Sequence, residues 1–169
     1  MTITIQTVTI AGQRVRLTTR NGKVTAKRAL PLEADCQAAQ VRAMRAMPEY
    51  QHQFLLAADM NAERRGPRAR QMALATGMTA GEPDLRIYGK GGRLLLIENK
   101  VGRGRLSPAQ VERHAALERL GHTVTVLRAA TTDDAAAQAV QMVRGWLAGN
   151  RNQQEGNSNQ QEDEITLAS

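Results

Sequence analysis

The sequence has little of three things that define common protein classes: cysteine, aromatic residues and long apolar runs. Cys36 is the only cysteine in 169 residues, which excludes an internal disulfide and a zinc site built from several cysteines. Aromatic residues make up 2%, namely Tyr50, Phe54, Tyr88 and Trp146, so a single-strand binder that stacks bases on rows of aromatics is disfavoured. No apolar run approaches the length of a membrane span, and the N-terminus alternates threonine with isoleucine or valine where a signal peptide would be continuously apolar. We therefore expect a cytoplasmic protein with no membrane partner.

Charge is unevenly distributed along the chain. Lysine and arginine total 23 against 16 acidic residues, a formal net charge of +7. Residues 1–30 contain six bases and no acid, whereas residues 150–169 contain one base and four acids. The excess favours an anionic partner, although solubility alone could account for it. We divide the chain into a basic N-terminal β-meander at 1–30, one domain at 31–149, and a disordered polar and acidic tail at 150–169.

The hydrophobic pattern predicts an α/β (α+β) fold with a mixed β-sheet flanked by helices. Period-two segments and the turn signal Asn21-Gly22 predict the N-terminal meander. The expected elements after it are a helix at 31–47, a strand at 52–60, a short helix at 66–77, a hairpin of 83–88 and 93–100, a helix at 108–120, a strand at 122–128 and a helix at 131–149. The second hairpin strand is apolar on both faces, as a central strand would be. The buried stripe expected on the last helix is Ala136, Val140, Val143 and Leu147.

Three charged residues lie in or beside this apolar hairpin, where an unpaired charge would be costly. Glu98 and Lys100 are two residues apart in a strand and project to one face. A four-residue turn over GKGG pairs Tyr88 with Arg93 and sets Asp84 opposite residue 97; a register one residue different sets it opposite Glu98. Two close carboxylates suit a hard divalent cation such as Mg²⁺ or Mn²⁺. The alternative is that Asp84 caps the bend after Pro83 while Glu98 and Lys100 form a plain ion pair.

The order of four motifs resembles the VRR-NUC (virus-type replication-repair nuclease) domain of the PD-(D/E)XK nuclease superfamily. They are Gly81-Glu82-Pro83-Asp84-Leu85, Leu96-Ile97-Glu98-Asn99-Lys100, Leu106-Ser107-Pro108-Ala109-Gln110, and Leu117 followed by Leu120-Gly121-His122-Thr123-Val124. The resemblance covers about residues 30–130. It implies a restriction-endonuclease-like core and a metal-dependent phosphodiesterase.

The resemblance also implies roles for individual residues. Asp84 and Glu98 would be metal ligands, the Asn99 backbone carbonyl a further ligand, and Lys100 would position the attacking water. Glu33 is the candidate for a metal-binding acid on the first helix; Asp35 competes with it, and acids at a helix N-terminus are also common for dipole reasons.

Gln110 is the candidate for the family's catalytic-helix glutamine, near the metal or the scissile phosphate. Its alternative role is structural, since Ser107-x-x-Gln110 is also a capping box. The three histidines, His52, His114 and His122, share no metal-ligand spacing and are expected to be structural.

A polar, basic segment and a loop are candidates for DNA contact, with a solvated basic surface as the alternative for each. Their residues are Asn61, Arg64, Arg65, Arg68, Arg70, Arg103 and Arg105. The meander at 1–30 lies outside the family pattern. It could extend the DNA surface, mediate dimerisation or cover a sheet edge.

The function expected from these features is that of a Mg²⁺- or Mn²⁺-dependent DNA endonuclease. The resemblance suggests phage or mobile-element DNA recombination or repair, on duplex or branched DNA such as four-way junctions, by a homodimer. The alternative is a non-catalytic DNA-binding accessory protein on the same fold. A third, weaker hypothesis is a basic interaction module whose acids are incidental.

Overall fold

A computed structural model of the chain describes residues 2–11, 13–58 and 66–166, with residues 13, 70 and 150–166 described by their backbone alone. The elements in chain order are β1 (Ile3–Ile10), β2 (Gln13–Arg20), β3 (Lys23–Arg28), α1 (Glu33–Arg45), β4 (Phe54–Ala58), α2 (Pro67–Ala75), β5 (Leu85–Gly89), β6 (Leu94–Val101), α3 (Pro108–Arg119), β7 (Val124–Ala129) and α4 (Thr132–Thr166). The predicted elements are present with slightly different ends, except that the backbone of α4 continues to Thr166 where the sequence predicted an end at 149. The mixed α+β fold class is confirmed.

The N-terminal meander is a three-stranded antiparallel sheet in the order β1-β2-β3. Asn21 and Gly22 connect β2 to β3 with φ of 51° and 74°. Two successive positive φ angles match the right-handed twist of a hairpin, and asparagine followed by glycine tolerates them best. The turn signal in the sequence is therefore confirmed.

The second sheet has the order β4-β5-β6-β7. β4, β5 and β6 are antiparallel neighbours, whereas β6 and β7 run parallel, as expected for strands joined through the crossover helix α3. β6 lies between two partners and is buried from Leu95 to Lys100, which confirms the prediction of a central strand. One face of this sheet packs its apolar side chains against α1 and α4; the core includes Leu85, Ile87, Ile97, Met44 and Val143.

The register of the β5–β6 hairpin differs by one residue from a four-residue turn. Tyr88 pairs with Leu94, so the predicted pairing with Arg93 is wrong. The reason is a 3₁₀ turn over Lys90–Gly92, closed by a hydrogen bond of 2.9 Å from the Gly89 N–H to the Arg93 carbonyl. Extending this register past the Leu85–Ile97 pair sets Asp84 opposite Glu98, the second of the two predicted registers.

The buried stripe of α4 is turned relative to the prediction. Ala135, Ala139 and Val143 are fully buried, whereas Ala136 is half-buried. Side chains of α4 are described only as far as Gly149, so the predicted domain division, including the tail at 150–169, stays a prediction. Among the described residues, no helix has both the length and the apolar character that a membrane span requires.

Candidate active site

The pleat of β6 distributes its three polar residues to both faces of the sheet. Glu98 and Lys100 project toward α3, and Asn99 projects toward α1. All three are buried, at 0%, 6% and 2% exposure respectively. Buried polar groups on a central strand are costly unless they are paired, so their partners define what the site can do.

Glu98 is held on one side of its carboxylate only. Its Oε1 accepts hydrogen bonds from Lys100 Nζ at 2.7 Å and from Gln110 Nε2 at 2.5 Å. Its Oε2 is buried without a hydrogen-bond partner. A carboxylate oxygen in this position is available to a cation or to another donor.

The charge balance around Glu98 is unfavourable for an ionised carboxylate. Burial raises the pKa of Glu98 to about 7; the hydrogen bond from Lys100 opposes this shift, while the charges of Asp84 and Glu33 add to it. One ammonium therefore does not compensate three neighbouring carboxyl groups, and a divalent cation would relieve the imbalance.

Asp84 lies immediately before β5 and connects the start of that strand to β6. Its Oδ2 accepts a hydrogen bond of 2.7 Å from the backbone N–H of Asn99, so it bonds across the hairpin. Helix α1 supports both strands: Gln37 Nε2 donates to the Asp84 carbonyl at 3.3 Å, and Gln40 Nε2 donates to Asn99 Oδ1 at 2.8 Å. Gln40 is fully buried and was not a predicted site residue; a glutamine on the same helix face as Glu33 and Gln37 is the signal that could have identified it.

The two acids at the start of α1 have different partners. Asp35 Oδ2 accepts from the backbone N–H of Leu32 at 3.2 Å and so caps the helix. Glu33 Oε1 lies 3.6 Å from Lys100 Nζ, with the glutamate side chain half exposed. The structure therefore brings Glu33 to the site and uses Asp35 at the helix end.

Gln110 has both of the roles between which the sequence left a choice. Its Oε1 accepts from the Ser107 N–H at 2.9 Å and its N–H donates to Ser107 Oγ at 3.2 Å, which is the capping box. Its Nε2 donates to Glu98. The start of α3 is fixed against Gly81, where φ is +81° and an added Cβ would lie 2.3 Å from the Ala109 carbonyl oxygen. Only glycine permits this close approach.

His114 lies beside the same carboxylate, although the sequence predicted it to be structural. Its Nε2 is 3.6 Å from Glu98 Oε2, and both atoms are buried without a hydrogen-bond partner. Burial lowers the pKa of His114, and the nearby Lys100 lowers it further. Its position four residues after Gln110, on the same face of α3, is the sequence signal that could have identified it.

The oxygen-rich composition of this site fits a hard divalent cation. Within the described part of the chain, no group of three or more His, Cys, Asp and Glu side chains is arranged to hold a metal ion. A metal would therefore depend on Asp84, Glu98, the main-chain carbonyl of Asn99 and water. The Glu98 oxygen without a hydrogen-bond partner and the excess of carboxyl groups around it are consistent with that donor set.

The predicted DNA-contacting residues are described unequally. Asn61, Arg64 and Arg65 lie outside the described residues, and only the backbone of Arg70 is described. Arg68 is exposed on α2.

Arg103 and Arg105 are exposed on either side of Gly104. A Cβ added at Gly104 would lie 3.5 Å from Lys100 Cδ. The two arginines therefore flank a loop that passes against the Lys100 side chain.

The fold and site together define an α+β protein with a buried carboxylate–lysine centre on its central strand. No protein-family model matches the chain, and no curated protein matches it. The chain is similar to a solved structure described as a VRR_NUC domain protein, with 22% sequence identity and a TM-score of 0.46, over 69% of this chain and 92% of that one. That name is the one given to the family that the sequence motifs resemble.

Proposed function

We propose that this protein is a metal-dependent DNA endonuclease that hydrolyses phosphodiester bonds. The observation that supports this function best is the burial and hydrogen bonding of the Glu98 carboxylate. A fully buried carboxylate lies opposite Asp84, is bonded on one oxygen by Lys100 and Gln110, and has a second oxygen without a hydrogen-bond partner. A plain structural ion pair would not need a second carboxylate and a glutamine converging on it.

Asp84, Glu98 and the Asn99 main-chain carbonyl would hold Mg²⁺ or Mn²⁺, with Glu33 at the exposed edge of the site. When bound, the ion would supply a Lewis acid for the phosphate and lower the pKa of a bound water. The protein's own contribution is orientation. The Asn99 N–H fixes one oxygen of Asp84, and Gln110 fixes one oxygen of Glu98.

Lys100 would position the attacking water and stabilise negative charge on the phosphate. Its ammonium has three N–H donors, of which one is directed at Glu98 at 2.7 Å. Burial at 6% exposure strengthens the electrostatic effect of the remaining donors, because little water competes for them.

Basic residues around the centre would hold the DNA backbone. Arg103 and Arg105 are exposed on the loop that passes against Lys100, and Arg68 is exposed on α2. Guanidinium groups bind phosphate oxygens with two parallel hydrogen bonds, which suits a sequence-independent grip on the strand. We also assign Asn61, Arg64, Arg65 and Arg70 to this surface, from their place in the sequence.

The finer assignments are supported by the family resemblance of the motifs. We propose a homodimer that presents two sites to duplex or branched DNA, including four-way junctions, in recombination or repair of phage or mobile-element DNA. Two copies of one site related by a two-fold axis suit a substrate whose strands are themselves related by symmetry.

Cleavage assays on supercoiled plasmid, linear duplex and four-way-junction DNA test this function. We expect cleavage with Mg²⁺ or Mn²⁺, none with EDTA, and none from Glu98→Ala. Glu112→Ala, an exposed acid on α3, is the matched control and should cleave normally. Equal activity of Glu98→Ala and wild type, or no cleavage in any wild-type condition, would refute the proposal.

A non-catalytic DNA-binding protein on the same fold is the second candidate. It is favoured by the ion pair that Lys100 already makes with Glu98 and by the lack of a three-residue metal cluster among the described side chains. This candidate predicts salt-dependent DNA binding that is unchanged by chelators and by Asp84→Ala, with no cleavage.

A further inference from the structure

A cavity of about 370 Å³ lies beside the candidate active site and is lined by charged side chains that the proposed chemistry does not use. These charged side chains are Glu82, Arg86 and Arg113, and the segment 76–79 that follows α2 completes the lining. We call this space the arginine cavity. A cavity with two guanidinium groups in its wall is suited to an anionic ligand.

Both the helix and the strand in its wall place the arginine cavity next to the Glu98 carboxylate. Arg113 directly precedes His114 on α3, and His114 Nε2 lies 3.6 Å from Glu98 Oε2. On the strand side, Arg86 pairs with Leu96, which lies two residues before Glu98 on β6. Two residues of a strand span about 7 Å. The arginine cavity therefore lies one step along the sheet from the proposed metal site.

The Glu82 carboxylate orders both arginines of the cavity. Glu82 Oε1 lies 3.0 Å from Arg86 Nη2, and Glu82 Oε2 accepts a hydrogen bond of 2.7 Å from Arg113 Nε. The Glu82 side chain is 13% exposed and that of Arg113 is 34% exposed, so the guanidinium is the more accessible group. Glu82 is the ion-pair partner of Arg113 among the described residues. Because this bond uses Nε, it fixes the guanidinium plane and leaves the two terminal nitrogens to another acceptor.

We propose that Arg113 binds a phosphodiester of the cleaved DNA strand in the arginine cavity, next to the scissile phosphate. The terminal nitrogens of a guanidinium bind two phosphate oxygens through parallel hydrogen bonds. Glu82 orients the guanidinium before DNA arrives, which lowers the entropy lost on binding, and Arg86 holds Glu82 in place. The inference rests on the proposed function, because it takes DNA as the substrate, and it adds the contact that positions the strand relative to Glu98.

A backbone phosphate fits the arginine cavity better than a small organic ligand does. Pockets for small molecules are lined mainly by hydrophobic and aromatic side chains. In the described lining, Met78 is the one large apolar side chain, and no aromatic side chain is present. A phosphate with its sugar needs no apolar surface of that kind. Binding in this cavity should therefore follow charge and show little dependence on base sequence.

The first test is the salt dependence of binding to a short fluorescent duplex, measured by anisotropy in EDTA so that no cleavage occurs. Each phosphate contact contributes about 0.9 to the slope of log K against log salt concentration. Arg113→Gln should therefore lower the slope by about 1 and weaken binding about tenfold. Arg119→Gln removes an exposed arginine from the same helix outside the cavity; it is the matched control and should bind like wild type.

The second test locates the bound phosphate by cleavage of labelled duplexes that each carry one uncharged methylphosphonate linkage. Wild type should fail to cut the modified linkage. It should also cut one neighbouring bond about tenfold more slowly, because Arg113 then faces a linkage without charge. Arg113→Gln should lose only the cut at the modified linkage, since its contact with the neighbouring phosphate is already absent.

A folded Arg113→Gln whose salt slope and affinity equal those of wild type would overturn the inference, as would an equal loss in Arg119→Gln. If Arg113→Gln does not fold, the wild-type cleavage pattern decides. Slower cutting beside the methylphosphonate supports the site, and no effect beyond the modified linkage overturns it.

The failure of this site and the failure of the nuclease proposal give different results. Cleavage by wild type together with unaltered DNA binding by Arg113→Gln would refute the site and leave the nuclease proposal intact. Binding by wild type without cleavage in any condition would refute the nuclease proposal, and the salt slope would still decide the phosphate contact. No binding by wild type at low salt would refute both.

Discussion

Glu98 is a buried carboxylate whose ionisation opposes folding in the absence of metal, so its replacement by glutamine should stabilise the metal-free protein. Glutamine has nearly the same shape and mimics the protonated, neutral carboxyl. Raising a carboxyl pKa from 4.5 to about 7 corresponds to about 3 kcal/mol at pH 8, at about 1.4 kcal/mol per pH unit. For a chain of this size that is roughly 6–12 °C in melting temperature.

The sign of the effect depends on pH. The folded protein holds the Glu98 proton more tightly than the unfolded chain does, because the folded pKa is the higher one. This contribution to stability is complete below pH 4.5 and is lost as pH rises through about 7. Glu98→Gln should therefore exceed wild type by less than about 1 kcal/mol at pH 5 and by about 3 kcal/mol at pH 8.

Urea and thermal unfolding in EDTA at pH 5 and pH 8 measure this difference. Glu112→Gln, an exposed acid on the same helix as Gln110, controls for the loss of a charge and should show no pH-dependent gain. Adding Mn²⁺ at pH 8 should raise the melting temperature of wild type and of Glu112→Gln, but leave that of Glu98→Gln unchanged. Equal destabilisation of Glu98→Gln at both pH values, or a wild-type melting temperature that does not respond to Mn²⁺, would refute the reasoning.

Three further substitutions test the support around Glu98. Gly81→Ala should destabilise the fold by about 1–3 kcal/mol and weaken the Mn²⁺-induced rise in melting temperature, because it displaces the start of α3. Gly77→Ala is the control, since Gly77 also has a positive φ but faces open space, and it should lower stability without changing the response to Mn²⁺. An equally weakened Mn²⁺ response in the two variants would contradict this prediction.

Lys100→Met should lower cleavage by about 10²–10³-fold while DNA binding in EDTA persists, whereas parallel loss of both would indicate misfolding. Burial alone would raise the pKa of Glu82, but hydrogen bonds from Arg86 and Arg113 hold this pKa below its ordinary value. Glu82→Gln should therefore lower the free energy of unfolding by about 1–2 kcal/mol, measured in urea at pH 7. The difference from wild type should disappear as pH falls through the lowered pKa of Glu82. No difference at pH 7 would show that these ion pairs do not stabilise the fold.

The layout of the fold could be predicted because most elements have a clear local signal. The position of β6 followed from its two apolar faces, and the meander followed from alternation and an Asn-Gly turn. The phase of α4 did not follow, since Ala135, Ala136 and Ala137 are chemically equivalent and periodicity cannot choose which of them faces the core. Only the packing against α1 and β7 decides that choice.

The hairpin register was open for a related reason. Gly91 and Gly92 both have positive φ, and glycines allow a turn of either three or four residues. The choice between the two turns is made by the pairing of β6 with β5, and this register decides whether Asp84 and Glu98 lie directly opposite each other. The turn sequence therefore predicts that the two carboxylates are close, but it leaves two registers that differ by one residue, and the strand pairing selects between them.

The two roles weighed for Gln110 are compatible because a side-chain amide has separate donor and acceptor atoms. The acceptor Oε1 closes the capping box with Ser107, and the donor Nε2 is left to face Glu98. Capping fixes the rotamer of the side chain that orients the Glu98 carboxylate, so the local helix signal contributes to the candidate site. A glutamate in this place could also close the box, but it would direct a fourth carboxylate at a centre that already has more negative charge than Lys100 compensates.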